Sequence, residues 1–288
     1  MTSDHVFVGG PASWNQIVQL DELPAATPHM RFAEADWHTI GGTSAGKALH
    51  LAELGVPVRL RTIVGDDEVG TVLTAALSAI PGIELLAAVA HGPSERHLNL
   101  MDKQGGRVSL YLSTPGLLGE ADATATAALD ALRSARAAVL DLAPLSVPLL
   151  TVARSTGVPV WTDIHDYDGA ASFHQPFIDA ADYVFMNADK IADPVAFARQ
   201  RVAAGTRLVV CTLGADGAFA VDEHGVEHRV PAANVDQIID TNGAGDAFFA
   251  GFLAATLAGS DTSTALASGA TQARTALGTR HISTLLDG

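Results

Sequence analysis

The chain has 288 residues, 48% of them apolar, which is enough for one large α/β domain with a small appendage. Its formal net charge of -15 argues against nucleic acid or an anionic membrane as a partner, because both are themselves negative. The single cysteine, Cys211, excludes an internal disulfide framework and a cysteine-rich metal site. We expect a cytoplasmic protein without a membrane span, because the N-terminus has no charged region followed by an apolar signal core and the most apolar stretch, residues 244–259, is short.

Short runs of β-branched or apolar residues alternate with alanine-rich segments of helical spacing along most of the chain. The runs cover residues 6–8, 60–64, 137–141, 158–163, 183–187 and 208–212. This alternation predicts βαβ units, and therefore an α/β fold with a mostly parallel sheet covered by helices on both faces. Ligands bind beyond the carboxyl ends of the strands in such sheets, where the sequence places Asp141, Asp163, Asn187 and Thr212.

Two segments, residues 13–40 and 94–112, do not follow this alternation of strand and helix patterns. In the second, apolar residues alternate with polar ones around Lys103-Gln104-Gly105-Gly106, which is hairpin patterning with a glycine turn. We predict that the two segments form a small β-sheet lid, leaving residues 1–12, 41–93 and 113–288 to the main domain. The alternative is an ordinary surface hairpin.

The segment with the clearest chemistry is Asp240-Thr241-Asn242-Gly243-Ala244-Gly245-Asp246, which precedes the apolar helix predicted from residue 247. Small residues before a helix let a phosphoryl group approach free backbone N–H groups at the positive end of the helix dipole. Asp246 would lie in the first turn, placed to accept the proton of an attacking hydroxyl. The alternative is a helix-capping aspartate after a glycine turn.

This string resembles the C-terminal signature of the ribokinase-like (PfkB) carbohydrate kinase family, and three other segments follow in the family's order. Gly41-Gly42 with the helix to Leu54-Gly55 is similar to the N-terminal signature, residues 64–70 resemble the loop after the next strand, and residues 212–218 resemble the loop that contacts nucleotide. The match runs from about Val6 to the C-terminal helices.

The resemblance implies a Rossmann-like three-layer α/β/α domain with a β-lid, ATP and Mg²⁺ as co-substrates, and a sugar acceptor. Asp246 would be the base beside an anion hole at Gly243, Ala244 and Gly245. The residues implied at the nucleotide are Asn187, Thr212, Gly214, Gly217 and Thr241. Asp240 matches a position that helps hold a monovalent cation in several members, which would allow activation by K⁺; its alternative role is a turn former.

The substrate side departs from the family's pattern. Asn15 stands where members often carry an aspartate, and Gly46, followed by Lys47, stands where many have asparagine. Lys47 would reach an anionic group of a ligand, or else be a solvated helix lysine. Asp141 and His165 fall near the expected pocket, or are a cap and a loop residue. The substrate-binding residues we predict are Ser13, Asn15, Gly41, Gly42, Lys47 and Asp141.

A second departure concerns Mg²⁺. The family's Asn-x-x-Glu appears as Asn187-Ala188-Asp189-Lys190, and a protonated lysine cannot bind a metal. Either Asp189 compensates, or phosphates and water organise the ion.

Other interpretations stay open at this point. Residues 41–47 also fit the P-loop pattern, although Ala48 lacks the hydroxyl expected after its lysine. A non-catalytic ligand sensor of the same fold would explain Asn15, Gly46 and Lys190. Within the kinase interpretation, the ring side chains of the lid can stack on a nucleobase as well as cover a sugar, so a nucleoside is the second choice of acceptor; they are Trp14, Trp37, His38, His97 and Tyr111. Exposed lid edges would allow a homodimer.

Overall fold

The computed structural model describes residues 4–116, 118 and 122–287. The strands, in chain order, are β1 (Val6–Gly9), β2 (Ser13–Gln19), β3 (Ala35–Gly41), β4 (Val58–Gly65), β5 (Ile83–Ala90), β6 (Arg96–Met101), β7 (Arg107–Ser113), β8 (Ala137–Leu140), β9 (Val160–Asp163), β10 (Tyr183–Asn187), β11 (Leu208–Thr212), β12 (Ala218–Asp222) and β13 (Glu227–Val230). The α-helices are α1 (Thr43–Glu53), α2 (Glu68–Ser78), α3 (Ala125–Ser134), α4 (Val147–Thr156), α5 (Gln175–Ala180), α6 (Pro194–Ala203), α7 (Ala244–Leu257) and α8 (Thr262–Leu277).

The central sheet has nine strands in the order β13-β12-β11-β10-β9-β8-β1-β4-β5. Neighbours from β11 to β5 are parallel, whereas β12 and β13 are added antiparallel at one edge. This confirms the mostly parallel sheet, and each of the six predicted runs contains a strand. Because β8, β9 and β10 are adjacent and parallel, the polar residues after them meet at one edge.

Helices cover both faces of this sheet, because alternate side chains of each strand point to opposite faces. Val6 and Val8 of β1 contribute to a core with α1, α2, α7 and α8, whereas Phe7 contributes to the core with α3, α4, α5 and α6. The three-layer α/β/α prediction is thereby confirmed. Among the described residues, no helix is long and apolar enough to cross a bilayer.

A second sheet of four strands, in the order β3-β2-β6-β7, forms the lid. β2 and β6 pair in parallel, with Ile17 opposite Asn99, and the other two pairs are antiparallel. β6 and β7 are joined by the glycine turn that the alternating pattern indicated. His97 and Asn99 of β6 are buried, whereas Leu110 of β7 is 45% exposed, so polar residues lie on the covered face of this hairpin.

Candidate active site

The site begins where α7 begins. Gly243 precedes the helix with φ 76°, a left-handed conformation that glycine adopts without strain. The amides of Ala244, Gly245 and Asp246 lie in the first turn, where a helix provides no backbone acceptor. Three N–H groups and the positive end of the helix dipole therefore converge at one point, which is the arrangement that binds an anion.

Asp246 lies in this first turn and on the wall of a cleft. The side chain is 14% exposed, and the cleft has a volume of about 1180 Å³ and is lined by residues of the main sheet, its helices and the lid. The carboxylate is therefore neither sealed in the core nor turned toward open solvent. Asp246 and Gly243, at the start of α7, both line this cleft.

Lys47 lies directly behind this carboxylate. Its side chain is fully buried on α1, and its ammonium donates a hydrogen bond to Asp246 Oδ1 at 2.8 Å. Two more carboxylates lie close to the ammonium, Asp141 Oδ1 at 3.1 Å and Asp163 Oδ2 at 3.4 Å. We call these four residues the ion cluster. Its members come from α1, α7 and the ends of β8 and β9, which meet because those strands are adjacent.

The ion cluster shifts the pKa values of Lys47 and Asp246. Burial alone would lower the pKa of Lys47, but Asp141, Asp246 and Asp163 raise it well above its ordinary value. Burial also raises the pKa of Asp246, and the negative charges of Asp141 and Asp163 act in the same direction. The charge and hydrogen bond of Lys47 oppose this rise. Lys47 is therefore the group that favours an ionised Asp246.

Gly46 allows this arrangement. A Cβ added at Gly46 would lie 2.8 Å from Asp246 Oδ2, closer than real Cβ contacts come. The other oxygen of that carboxylate is held by Lys47. Glycine at position 46, where many members of the resembling family carry asparagine, is thus required by the position of Asp246.

The predicted substrate residues of the first loop and the Gly-Gly pair occupy one corner of the cleft. Asn15, Gly41 and Gly42 line it, whereas the fully buried Ser13 donates a hydrogen bond to Asn15 Oδ1 at 2.7 Å. A Cβ on Gly41 would lie 2.0 Å from Asn15 Nδ2. Ser13 and Gly41 therefore hold the Asn15 amide in place, and the amide itself faces the cleft.

Asp141 is fully buried and does not line the cleft. One of its oxygens accepts a hydrogen bond from Ser44 Oγ at 2.6 Å, and the other faces Lys47. Its contacts are thus internal to the protein. His165, which follows β9, does line the cleft.

The turn before α7 connects the site to the lid. The Asp240 carboxylate accepts hydrogen bonds from the backbone N–H of Asn242 at 2.8 Å and from its Nδ2 at 2.9 Å, which are contacts of a turn former. Asn242 Oδ1 accepts a hydrogen bond from Arg107 of β7 at 2.7 Å. Within the described ranges, no group of three or more His, Cys, Asp or Glu side chains is arranged to hold a metal ion, and a cation role for Asp240 stays a prediction.

Comparison with known proteins places the chain in a family. The sequence model described as pfkB family carbohydrate kinase matches residues 17–286. The chain belongs to this family. The acarbose 7(IV)-phosphotransferase of Actinoplanes sp. is 32% identical over 275 residues, which cover 93% of this chain and 91% of that protein. The fructoselysine 6-kinase of Escherichia coli is 27% identical over 80% of this chain and 86% of that protein.

Solved structures share the whole fold. A structure described as a microbiome-derived acarbose kinase, Mak1, has a TM-score of 0.85 and 27% identity, with 99% of each chain covered. The ribokinase of Arabidopsis thaliana in complex with ribose and ATP has a TM-score of 0.75 and 20% identity, covering 97% of this chain and 95% of that chain. The family prediction is confirmed, and this protein is a kinase of the pfkB type.

Family membership removes the P-loop interpretation of residues 41–47. The same conclusion follows from geometry, because Thr43 to Glu53 form a helix whose Lys47 is buried among carboxylates. An ammonium in that position is not free to bind a phosphate. The expectation that Lys47 contacts an anionic ligand group finds no support in these contacts.

The residues predicted for the nucleotide do not line the cleft. Asn187 and Thr212 are paired across β10 and β11, and Gly214 and Gly217 follow with φ of 58° and 91°. Thr241 approaches the lid turn, since a Cβ on Gly105 would lie 3.6 Å from its Cγ2. These five residues are not among the described residues that line the cleft, and their role at a nucleotide stays a prediction.

Lys190 replaces the glutamate of the family's pattern and lies at the surface. Its ammonium is 3.5 Å from Asp166 Oδ1, and both side chains are more than half exposed. Exposed ion pairs of this kind contribute little to stability. The Lys190 ion pair is therefore a surface contact and not part of a buried charge network.

The cleft is also lined by polar lid residues that were not predicted as site residues. His97 and Tyr111 were expected in the lid as possible ligand contacts, whereas Glu95, Asn99 and Arg107 were missed. They alternate along the strands with the apolar residues on which the hairpin prediction relied. The same period of two therefore places them on the opposite face of the hairpin. Asp163 was noted at a strand end but was not chosen as a site residue.

Proposed function

We propose that this kinase transfers the γ-phosphoryl group of ATP to a hydroxyl group of a sugar, with Asp246 as general base. The observation that carries the proposal is the position of the Asp246 carboxylate, in the first turn of α7 and on the wall of the cleft, beside amides that lack backbone acceptors. A base and an anion site next to each other are what phosphoryl transfer to a hydroxyl requires.

Each part of the site has a task in this reaction. Asp246 orients the acceptor hydroxyl and takes its proton as the oxygen attacks phosphorus. The amides of Ala244, Gly245 and Asp246 stabilise the negative charge of the transferring group, because they are fixed before the reaction begins. The lid covers the cleft and limits the access of water, which would compete with the sugar as acceptor.

Mg²⁺ would neutralise phosphate charge when ATP is bound. Asn187 and Asp189, at and after the end of β10, offer oxygen ligands, whereas Lys190 does not. No cluster of three or more metal-binding side chains occurs in the part of the chain that the structure describes, which fits an ion bound mainly by phosphates and water.

We infer that the acceptor is a sugar larger than a monosaccharide. The cleft volume of about 1180 Å³ is at the upper end of what small-molecule sites enclose, and its lid side presents amide, carboxylate, imidazole and guanidinium groups that can bind hydroxyls. The relatives named for acarbose, ribose-1-phosphate and fructoselysine support a carbohydrate over a nucleoside.

The test is ADP formation by the purified protein with ATP, Mg²⁺ and a panel of acceptors. The panel contains acarbose, maltotriose, ribose, ribose-1-phosphate, fructoselysine and adenosine. We expect the highest kcat/KM with a sugar of more than one unit, and a loss of kcat of at least about 100-fold in Asp246→Asn. Asp261→Asn is the matched control, because Asp261 also lies at the start of a helix but is exposed at the surface.

Three outcomes would contradict the proposal. Normal turnover by Asp246→Asn would contradict the assignment of Asp246 as the base. Binding of ATP without product from any acceptor would favour a ligand sensor. Preference for adenosine over all sugars would move the protein to the nucleoside alternative.

A homodimer through the lid is a second part of the proposal. The outer face of β7 exposes Val108, Leu110 and Leu112 by 39%, 45% and 50%. A row of exposed apolar residues on an edge strand favours association. Sedimentation equilibrium should therefore give twice the chain mass, and Leu110→Asp should give monomers; a monomeric wild type would contradict it.

A further inference from the structure

The ion cluster contains a charged residue for which phosphoryl transfer has no direct use. Lys47 is fully buried, does not line the cleft, and lies on the far side of the Asp246 carboxylate from the substrate space. A buried ammonium is costly unless it is paired, and here it is surrounded by carboxylates.

We propose that Lys47 is a positioning residue that aims the carboxylate of Asp246 at the cleft and maintains its negative charge. Asp141 and Asp163 hold the lysine in place from the strand ends. This inference rests on the proposed role of Asp246 as the base.

The geometry confines the carboxylate from two sides. Asp246 Oδ1 accepts a hydrogen bond from Lys47 at 2.8 Å, and Oδ2 lies against Gly46, where a Cβ would come within 2.8 Å. The carboxylate cannot rotate far without losing the hydrogen bond from Lys47 to Oδ1 or moving Oδ2 into the backbone of α1 at Gly46. The orientation of the base is therefore defined by two consecutive residues of α1.

Lys47 itself is held from several directions. Asp141 Oδ1 lies 3.1 Å from the ammonium without a well-aligned hydrogen bond, and the second oxygen of Asp141 accepts from Ser44 Oγ at 2.6 Å. The Phe249 ring lies 5.1 Å from Nζ, a cation–π distance. The lysine thus has fixed neighbours on α1, α7 and the strand ends.

The charge of the cluster gives Lys47 its second task. Three carboxylates share one ammonium in a buried space, so without the lysine their mutual repulsion and burial would favour protonation of one of them. Among the described residues, His165 is a further titratable side chain near the cluster, with its Nδ1 3.9 Å from Asp163 Oδ1. A protonated Asp246 cannot accept the proton of the acceptor hydroxyl, so loss of Lys47 should matter most at low pH.

The experiment compares pH profiles of kcat/KM for wild type and Lys47→Met in the same buffers. Taking the ratio of variant to wild type at each pH cancels the titration of ATP itself. We expect the acidic limb of the variant to move up by about one to three pH units, with partial recovery of activity in alkaline buffer. Lys103→Met is the matched control, because it removes an exposed lysine at the lid turn and should leave the profile unchanged.

A second variant keeps the test decisive if Lys47→Met folds poorly. Lys47→Met/Asp141→Asn removes one positive and one negative charge together, so the formal charge of the cluster is restored. Its acidic limb should lie between those of wild type and Lys47→Met, and thermal denaturation should show a folded protein.

The outcomes separate this inference from the proposed function. Wild-type kcat with an unchanged profile, or an increase only in KM for ATP or sugar, would overturn the role of Lys47. A loss of kcat that is equal at every pH would overturn its task of maintaining the negative charge of Asp246. Turnover by Asp246→Asn at the wild-type rate would instead overturn the assignment of the base. In that case the Lys47 profile no longer reports on proton transfer.

Discussion

The two ends of the cleft are built on different principles. At the α7 end, the Asp246 carboxylate is already held by Lys47, and the carboxylates of Asp141 and Asp163 lie within 3.4 Å of the same ammonium. At the lid end, Asn99 is buried yet its Oδ1 has no hydrogen-bond partner, and His97 Nε2 lies 3.0 Å from Glu95 without a well-aligned bond. The α7 end is preorganised, whereas the lid end has polar atoms whose hydrogen bonds a bound ligand can complete.

Substitutions at the two ends should therefore affect different kinetic constants. Changes at the α7 end should reduce kcat, because they displace or neutralise the base. Changes at the lid end should raise KM for the acceptor, because they remove contacts made equally in the ground state and the transition state.

The largest effect is expected for Gly46→Ala. The added Cβ would meet Asp246 Oδ2 at 2.8 Å, and the carboxylate cannot retreat without losing Lys47. We expect kcat to fall about 100-fold with little change in KM, as a displacement near 1 Å does in other active sites. Gly278→Ala is the control, since its nearest neighbour would be 3.6 Å away. Unchanged kcat would show that the carboxylate can move freely.

A smaller effect, confined to binding, is expected for Asn99→Ala at the lid end. Removing the unpartnered amide oxygen deletes one hydrogen bond to the acceptor, so KM should rise about tenfold while kcat stays near the wild-type value. Gln104→Ala removes an exposed amide from the same hairpin and should change neither constant. A fall in kcat without a change in KM would place Asn99 among the groups that act in the chemical step.

Arg107 joins the two ends through Asn242, so its removal should affect both constants. Arg107→Met deletes the 2.7 Å hydrogen bond between lid and turn, and we expect about a fivefold loss of kcat together with about a fivefold rise in KM. Steady-state kinetics with the best acceptor measures both. An effect on KM alone would mean that the lid closes independently of the turn before α7.

The smallest effect on turnover is expected outside the cleft, at Glu53. Its carboxylate binds Gln272 of α8 at 3.0 Å and Ser283 at 3.4 Å. The hydrogen bond with His50 lowers the pKa of Glu53, with help from Thr284 and Ser283 and against burial. Glu53→Gln should leave kcat unchanged but lower the free energy of unfolding by about 1 kcal/mol at pH 7.

The pH dependence of that loss follows from the direction of the shift. A lowered pKa in the folded state stabilises the protein above the unfolded value of about 4.3. The stabilisation disappears as the pH falls through the folded pKa. Urea unfolding at pH 7 and near pH 3.5 should therefore show a smaller difference between wild type and Glu53→Gln in acid. If the free energies of unfolding of wild type and Glu53→Gln differed by the same amount at both pH values, the ionised carboxylate of Glu53 would not be the source of the stabilisation.

Local patterns were sufficient to predict the fold class and the position of the central motif. The alternation of apolar runs and alanine-rich segments indicated the parallel sheet, since each element has its own periodicity. Residues 240–246 indicated the start of α7, because a glycine with positive φ before an apolar helix is a local requirement. The antiparallel strands β12 and β13 were not predicted, although they follow β11 through short connections, with Thr212 opposite Ala218 and Val221 opposite Glu227. Residues 218–221 are a short, continuously apolar run and residues 227–230 are mostly polar, so neither shows the alternation that identifies a strand.

The sequence by itself determined the parallel sheet, the hairpin of the lid and the candidate base, since each depends on neighbours in the chain. Only the tertiary structure decided that Lys47 faces Asp246, 199 positions away, and that His97 and Asn99 rather than the leucines cover the cleft. The physical reason is that a period of two defines two faces without saying which one is buried, and that a lysine's charge acquires its role only from the carboxylates folded around it.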